Sequence, residues 1–242
     1  MDIKATINSL YMANTNYSDP TQAVNQAESL KSLSADLYTD SKRFIYELLQ
    51  NADDSAKNNE KVNVLIKFVD NQLVLAHTGK EFSSRDVKGL CSVNNGTKKS
   101  DTTKTGFKGI GFKSVFGQSN KVIICSNNEY FKFDATHNFG WKNTWEGSLN
   151  EWQKENDRDF LYPWQIIPIY LNEKDKKIDL NFKIESYLST SIWKVATIIE
   201  VLKKDQIIKV IKELLENVNM FLFLKNINFI KFEIEEDITT IN

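Results

Sequence analysis

The chain has 242 residues, 41% hydrophobic and 26% charged, a composition that excludes disordered, fibrous and membrane-embedded classes and predicts a folded globular protein. Its 31 Lys and Arg against 32 Asp and Glu leave a net charge of -1, so no global field favours nucleic acid or anionic lipid, and only a concentrated basic face would revive nucleic-acid binding. No apolar run approaches the roughly 20 residues of a membrane helix and no basic-then-apolar leader opens the chain, so the expectation is a cytoplasmic protein without membrane contact. Cys91 and Cys125 lie far apart, match no metal or redox spacing, and read as small, buried, reduced thiols.

In chain order, residues 1 to about 20 are polar with weak periodicity and read as an arm, with Asp19-Pro20 as the start signal for a helix over Ala23 to Leu37. From Thr39, the apolar residues Phe44, Ile45, Leu48, Leu49 and Ala52 recur every three or four positions and predict an amphipathic helix with Thr39 or Ser41 as N-cap. Val62, Val64, Ile66 and Phe68 alternate, and Leu73 to Ala76 follow the turn Asp70-Asn71, which predicts a β-hairpin. A short serine-capped helix is expected over Ser83 to Leu90, then a mobile loop over Ser92 to Thr105.

Further strands are expected at Lys121 to Ser126 and Tyr130 to Phe133, joined by Asn127-Asn128. Residues 134 to 165 hold four of the five tryptophans and read as an aromatic-anchored loop with a short helix rather than a ligand cage. Ile166 to Leu171, Lys183 to Ile184, Lys194 to Leu202 and Phe229 to Ile234 read as strands, and Asp205 to Leu215 as a helix. The order predicts an α+β sandwich, with helices over one face of a mixed, mostly antiparallel sheet.

Two clusters carry chemistry. Glu47, Asn51 and Asp54 are four and three residues apart on the first strong helix, so they project from one face while Leu48, Leu49 and Ala52 turn to the core. An amide oxygen suits a hard cation such as Mg²⁺, and a carboxylate can orient or deprotonate water. The stretch Thr105-Gly106-Phe107-Lys108-Gly109-Ile110-Gly111-Phe112-Lys113-Ser114 is a glycine-rich turn running into a helix, where exposed N–H groups and two lysines would attract phosphate. Its G-x-x-G-x-G spacing is neither the dinucleotide fingerprint nor the Walker loop. Taken singly, a solvated helix face and a tight turn would explain each cluster.

Together these motifs resemble the gyrase, heat-shock chaperone, histidine kinase and MutL (GHKL) ATPases, and within them the sacsin-like N-terminal ATP-binding domains. The Glu-x-x-x-Asn-x-x-Asp box matches at Glu47, Asn51 and Asp54 within ADLYTDSKRFIYELLQNADD. The first glycine box matches partly in His77-Thr78-Gly79-Lys80-Glu81-Phe82, the lid in Asn95-Gly96-Thr97-Lys98-Lys99, the second glycine box in Gly106 to Ser114, and a later strand threonine in Thr197. The resemblance spans roughly Ala35 to Phe232.

It implies a Bergerat-type two-layer sandwich over residues 35 to 242, following an arm and helix at 1 to 34, as the N-terminal part of a longer protein. It implies ATP and Mg²⁺ as ligands, with Glu47 activating water and Asn51 holding the metal. Asp54 would support the metal site, Gly106, Gly109, Ile110, Gly111 and Phe112 would line the phosphates, and Thr97, Lys98 and Lys113 would contact them. His77, Gly79 and Thr197 would face the base, and Ser114 would serve its helix rather than the ligand. His77 departs from the family pattern, which has an aspartate accepting from the adenine amino group. The resemblance further implies slow hydrolysis by the isolated segment, a nucleotide-dependent homodimer and coupling to downstream domains. The competing expectation is a nucleotide-gated interaction domain that does not hydrolyse.

Overall fold

The computed structural model describes residues 2–38, 42–57, 60–92, 111–140, 147–189, 192–234 and 237–241, with the side chains of 33–38 and 218–220 set aside. Eight strands form one sheet: β1 (Val62–Val69), β2 (Gln72–His77), β3 (Lys121–Ser126), β4 (Glu129–Asp134), β5 (Ile169–Tyr170), β6 (Val195–Glu200), β7 (Ile227–Ile234) and β8 (Asp237–Ile241). Their spatial order is β5-β4-β3-β6-β2-β1-β7-β8, antiparallel at every junction except the parallel β1–β7 pair. The expected α+β class with a mixed, mostly antiparallel sheet is what forms.

Local chemistry explains the turns. Asp70 (φ 53) opens the β1–β2 turn, and Asn127 (φ 53) with Asn128 (φ 62) close β3–β4, all in the left-handed region that Asp and Asn tolerate and that two-residue hairpins require. The helices are α1 (Ile3–Thr15), α2 (Pro20–Tyr38), α3 (Arg43–Asp53), α4 (Ser84–Leu90), α5 (Leu149–Asn156), α6 (Glu173–Asp179), α7 (Phe182–Ser189) and α8 (Lys204–Glu216). A 3-10 helix covers Gly111–Gly117 where the sequence predicts a helical start. Reciprocal Ser83–Asp86 and Ser148–Glu151 capping boxes start α4 and α5. The N-cap of α3 is Lys42, whose side chain makes no capping bond but pairs with Glu213 of α8 at 2.7 Å. The expected caps Thr39 and Ser41 lie outside the described residues.

The sheet's two faces follow its alternation. Val64, Ile66, Leu73, Leu75, Val122, Ile124, Ile199 and Phe232 join Phe44, Ile45, Leu48, Leu49, Ile207 and Ile211 in the main core between sheet and helices. On the opposite face Leu65, Val74, Ala76, Ile123 and Ile198 meet Ile184 and Leu188 of α7. The main helical layer thus lies where expected, and a short second cap sits on the far side. Burying several of these aliphatic chains at about 1.5–3 kcal/mol each makes both contacts substantial.

Several expectations change. The residues read as an arm form α1, whose Ile7 is fully buried in the main core; the period is faint because only Thr6, Ile7 and Thr15 are buried. Lys183 and Ile184 lie in α7, not a strand, with Ile184 and Leu188 one helical turn apart. The strand expected over Ile166 to Leu171 shrinks to β5, because the chain leaves Pro163 through a 3-10 turn at Trp164–Ile166. The aromatic segment holds the expected short helix and is anchored by ring contacts, with Trp152 against Phe160 at 5.4 Å and Phe160 against Tyr162 at 4.9 Å within it, and Trp164 against Phe116 of the 3-10 helix at 4.9 Å. Trp141 and Trp145 lie outside the described residues. Both cysteines are free and buried. Among the described residues no helix is long and apolar enough to cross a membrane.

Candidate functional site

The central strands build a floor. On β2, Leu73, Leu75 and His77 share the helix-facing row; on β6, Val195, Thr197 and Ile199 do the same. The ladder pairs Leu75 with Thr197 and His77 with Val195, so these four side chains form one patch. Above it, Leu48 and Asn51 of α3, Phe82, Asp86 and Leu90 of the α4 segment, and Phe112 of the 3-10 helix complete a pocket. Six apolar or aromatic chains surround a few polar ones, which is the usual composition of a site for a flat organic ring.

Four residues named from sequence, Asn51, His77, Phe112 and Thr197, therefore meet in one pocket. Glu47, one helical turn before Asn51, lies against Gly111: a Cβ added there would stand 1.9 Å from Glu47 Oε2. Only glycine lets this carboxylate approach the backbone so closely, one residue before pocket-lining Phe112. Arg43 Nε is 3.8 Å from Glu47 Oε1, a long and half-exposed pair of little energetic weight.

His77 is buried and held by its Nδ1 edge. The Gly79 N–H donates to Nδ1 at 3.2 Å, and Ser55 Oγ lies 3.2 Å from the same atom. Ser55 directs its own hydroxyl hydrogen to the Ala52 carbonyl at 2.6 Å. Gly79 is required by this arrangement, since a Cβ would meet Ser55 Oγ at 1.8 Å and His77 Nδ1 at 3.1 Å. Its position therefore positions the histidine rather than lining the pocket.

Two expected contributors fall elsewhere. Asp54 is the C-cap of α3 and does not belong to the described residues lining the pocket. Lys113 is buried, donating to the Leu90 carbonyl at 2.9 Å, so its amine ties the 3-10 helix to the C-terminal end of α4. Burial lowers that amine to about 8, partly offset by Cys91, while burial pushes the Cys91 thiol up to about 12. Ser114 Oγ donates to the Gly111 carbonyl at 2.6 Å and serves its own helix, as expected. Thr97, Lys98, Gly106, Gly109 and Ile110 lie outside the described residues, as does the lid segment Asn95 to Lys99.

No protein-family model matches the chain. A stretch of 117 residues is 39% identical to Protein NO VEIN of Arabidopsis thaliana, covering 48% of this chain and 4% of that protein. The chain thus spans a small part of that relative's length.

Sequence reasoning missed the walls and the anchors. Leu75 and Val195 were legible in principle, being the strand neighbours of His77 and Thr197 in the alternating rows. Asp86 lines the pocket while its Oδ2 accepts from Ser83 N at 2.9 Å and Ser83 Oγ at 2.7 Å, so the capping signal concealed a second location. Asp53, beside the expected Asp54, is the structural carboxylate. Its Oδ1 accepts from Asn226 N at 2.6 Å and Ile227 N at 3.1 Å, fixing α3 to the start of β7. Nothing in a lone Asp-Asp pair tells which member does this.

The donor set suits a hard cation held largely by a ligand's own oxygens. Among the described residues no group of three or more His, Cys, Asp or Glu is placed to cage a metal. Mg²⁺ needs no such cage, because it keeps several waters and takes one or two protein oxygens plus phosphate oxygens. The Asn51 amide and the nearby Glu47 carboxylate fit that demand.

Proposed function

We propose that this chain binds a nucleoside triphosphate, ATP by the family resemblance, together with Mg²⁺, and hydrolyses it slowly. The single observation that supports this is the meeting of Asn51, His77, Thr197 and Phe112 in one pocket, with Glu47 seated on Gly111 beside it. The apolar walls between β2–β6 and α3 would take the base, and the triphosphate would extend toward Gly111 and the glycine-rich stretch before it.

Asn51 would hold Mg²⁺, which when bound neutralises phosphate charge. Glu47 would accept a proton from the attacking water as that oxygen bonds to the γ-phosphorus. The bond to the β–γ bridging oxygen breaks, leaving a nucleoside diphosphate and phosphate. Phosphoryl transfer needs a further cation at the γ-phosphate. Lys113 is committed to Leu90, which leaves that role to Lys98 or to a residue from a following domain, and favours slow turnover in isolation.

The protein would then act in the cytoplasm as the nucleotide-driven conformational module of a larger chaperone-like or defence-type protein. Nucleotide-dependent homodimerisation and downstream domains would be its partners. Calorimetric titration of ATP with Mg²⁺ into wild type and Asn51→Ala tests this: micromolar binding weakened about tenfold or more by the substitution is expected. Absence of any nucleotide binding by wild type refutes it. The engagement of Lys113 also favours a second reading, a nucleotide-gated interaction domain that does not hydrolyse, marked by tight binding with no phosphate release.

A further inference from the structure

We propose that the open edge of β8 is a self-association surface, on which β8 of a second copy pairs antiparallel about a two-fold axis. The contact lies three strands from β2 of the nucleotide pocket, needs no nucleotide, and stands apart from the nucleotide-dependent dimer proposed above.

The fold treats the two ends of its sheet differently. At one end β5 offers only Ile169 and Tyr170, helix α1 lies against it, and Lys4 Nζ sits 4.8 Å from the centre of the Tyr170 ring. A short, covered edge of this kind is poorly able to recruit a strand. At the other end β8 runs for five residues, Asp237-Ile238-Thr239-Thr240-Ile241, and the first four are exposed, Ile238 by 67%. Its pairing with β7 is unbroken from Ile234–Asp237 to Ile230–Ile241, so no bulge twists the edge away. The strand carries neither lysine nor proline, the usual guards of a free edge, and its other residues beside Asp237 are all β-branched. The helical side is open as well. Asp237 and Thr239 stand beside Ile234 and Phe232, which are buried, yet are themselves exposed, so the described helices stop short of β8.

The side chains of β8 suit a second copy of the same strand. Full overlap of two antiparallel copies places Thr239 opposite Thr239, Ile238 opposite Thr240, and Asp237 opposite Ile241. Thr–Thr and β-branched pairs are favourable cross-strand neighbours. The two Asp237 carboxylates then fall at opposite ends of the pair, about 14 Å apart at roughly 3.4 Å per residue, beyond the roughly 8 Å screening length of physiological salt. A parallel pairing in register would set them side by side. Each copy offers one such edge among its described strands, so the pairing closes at two. A five-residue strand pair falls below the roughly 1,200 Å² of a stable interface, which makes the dimer weak and concentration-dependent.

Sedimentation equilibrium of the 242-residue chain without nucleotide, from about 10 μM to about 1 mM, tests this. A reversible monomer–dimer equilibrium with a Kd of about 50–500 μM is expected. A monomer at every concentration, or growth beyond the dimer, overturns the proposal. Thr239→Lys and Thr239→Glu each set like charges against each other at the two-fold axis, and each alone is expected to weaken association about tenfold or more. Their equimolar mixture is expected to associate at least as tightly as wild type, because lysine then faces glutamate. Unchanged association in either single variant, or a mixture as weak as its components, overturns the proposal. Position 239 is exposed, so both variants should fold, and recovery in the mixture reports that they have. The association is expected whether or not ATP binds, so its failure and that of the nucleotide reading are seen separately.

Discussion

The floor and the roof of the pocket are held by different forces. His77 and Thr197 stand on β2 and β6, where backbone ladders on both sides of each strand fix their height and direction. Asn51 and Glu47 stand on α3, and the roof they belong to is fastened by individual side chains: Asp53 to the start of β7, Lys42 to Glu213, and Lys113 to the end of α4. A ladder is redundant, so losing one side chain leaves the register intact. A clamp is not, so a few polar bonds fix where the roof sits, while the burial of Phe44, Ile45, Leu48 and Leu49 holds it against the sheet.

That contrast can be broken or sharpened by substitution. The largest effect is expected for Glu47→Gln, which should lower phosphate release about 10²- to 10⁴-fold while nucleotide affinity changes less than about threefold, because a general base acts in the reaction and not in binding. Steady-state turnover beside calorimetry checks both halves. Next, Asp53→Ala should cost about 3 kcal/mol in urea unfolding, since the Asn226 and Ile227 amides lose a charged acceptor. A loss below about 1 kcal/mol would show that the roof does not depend on this clamp.

Lys113→Met probes the buried amine. Its proton leaves near pH 8 in the folded chain against the ordinary 10.5, so between those values the unfolded state binds more protons and the lysine-bearing protein gains stability as pH rises. Wild type should therefore gain on the methionine variant from pH 8 to 10.5, by at most about 3 kcal/mol. Paired denaturation curves at the two pH values measure it. The smallest effect is expected on the floor: Thr197→Val keeps shape and strand propensity, so stability should shift by about 1 kcal/mol or less, with nucleotide affinity falling about tenfold. Calorimetry of that variant separates the hydroxyl from the strand.

The same contrast governs what could be read from the chain. The hairpins were legible because alternation is a period of two and Asn127-Asn128 is a strong turn signal. The meeting of His77 and Thr197 came from the family resemblance rather than from the period, because alternation alone does not tell that β2 lies beside β6. Helix α3 was legible from its apolar spacing, and with it the shared face of Glu47 and Asn51. The roof's fastenings were not, because Asp53 and Lys113 find partners that local sequence cannot name: Asn226 lies 173 residues beyond Asp53. Helix α7 escaped because eight residues hold only two buried apolar positions, too few to distinguish a helical turn from a strand. The glycine-rich residues Gly106 and Gly109 lie outside the described set, so that half of the expected site rests on sequence.

The parallel pairing of β1 with β7 has a consequence for biosynthesis. Asp53 and Val62 emerge from the ribosome long before Asn226 and Ile227, and the Val62 N–H donates to the Asn226 carbonyl at 2.8 Å in the finished fold. Until those late residues arrive, β1 has one open edge and α3 lacks its anchor. Contacts this distant in sequence carry a loop-closure cost that slows folding. The nascent chain must therefore wait with a hydrophobic strand uncovered, a natural point for a holding chaperone to act. A truncation before Asn226 should leave β1 unpaired and the candidate pocket without a secured roof.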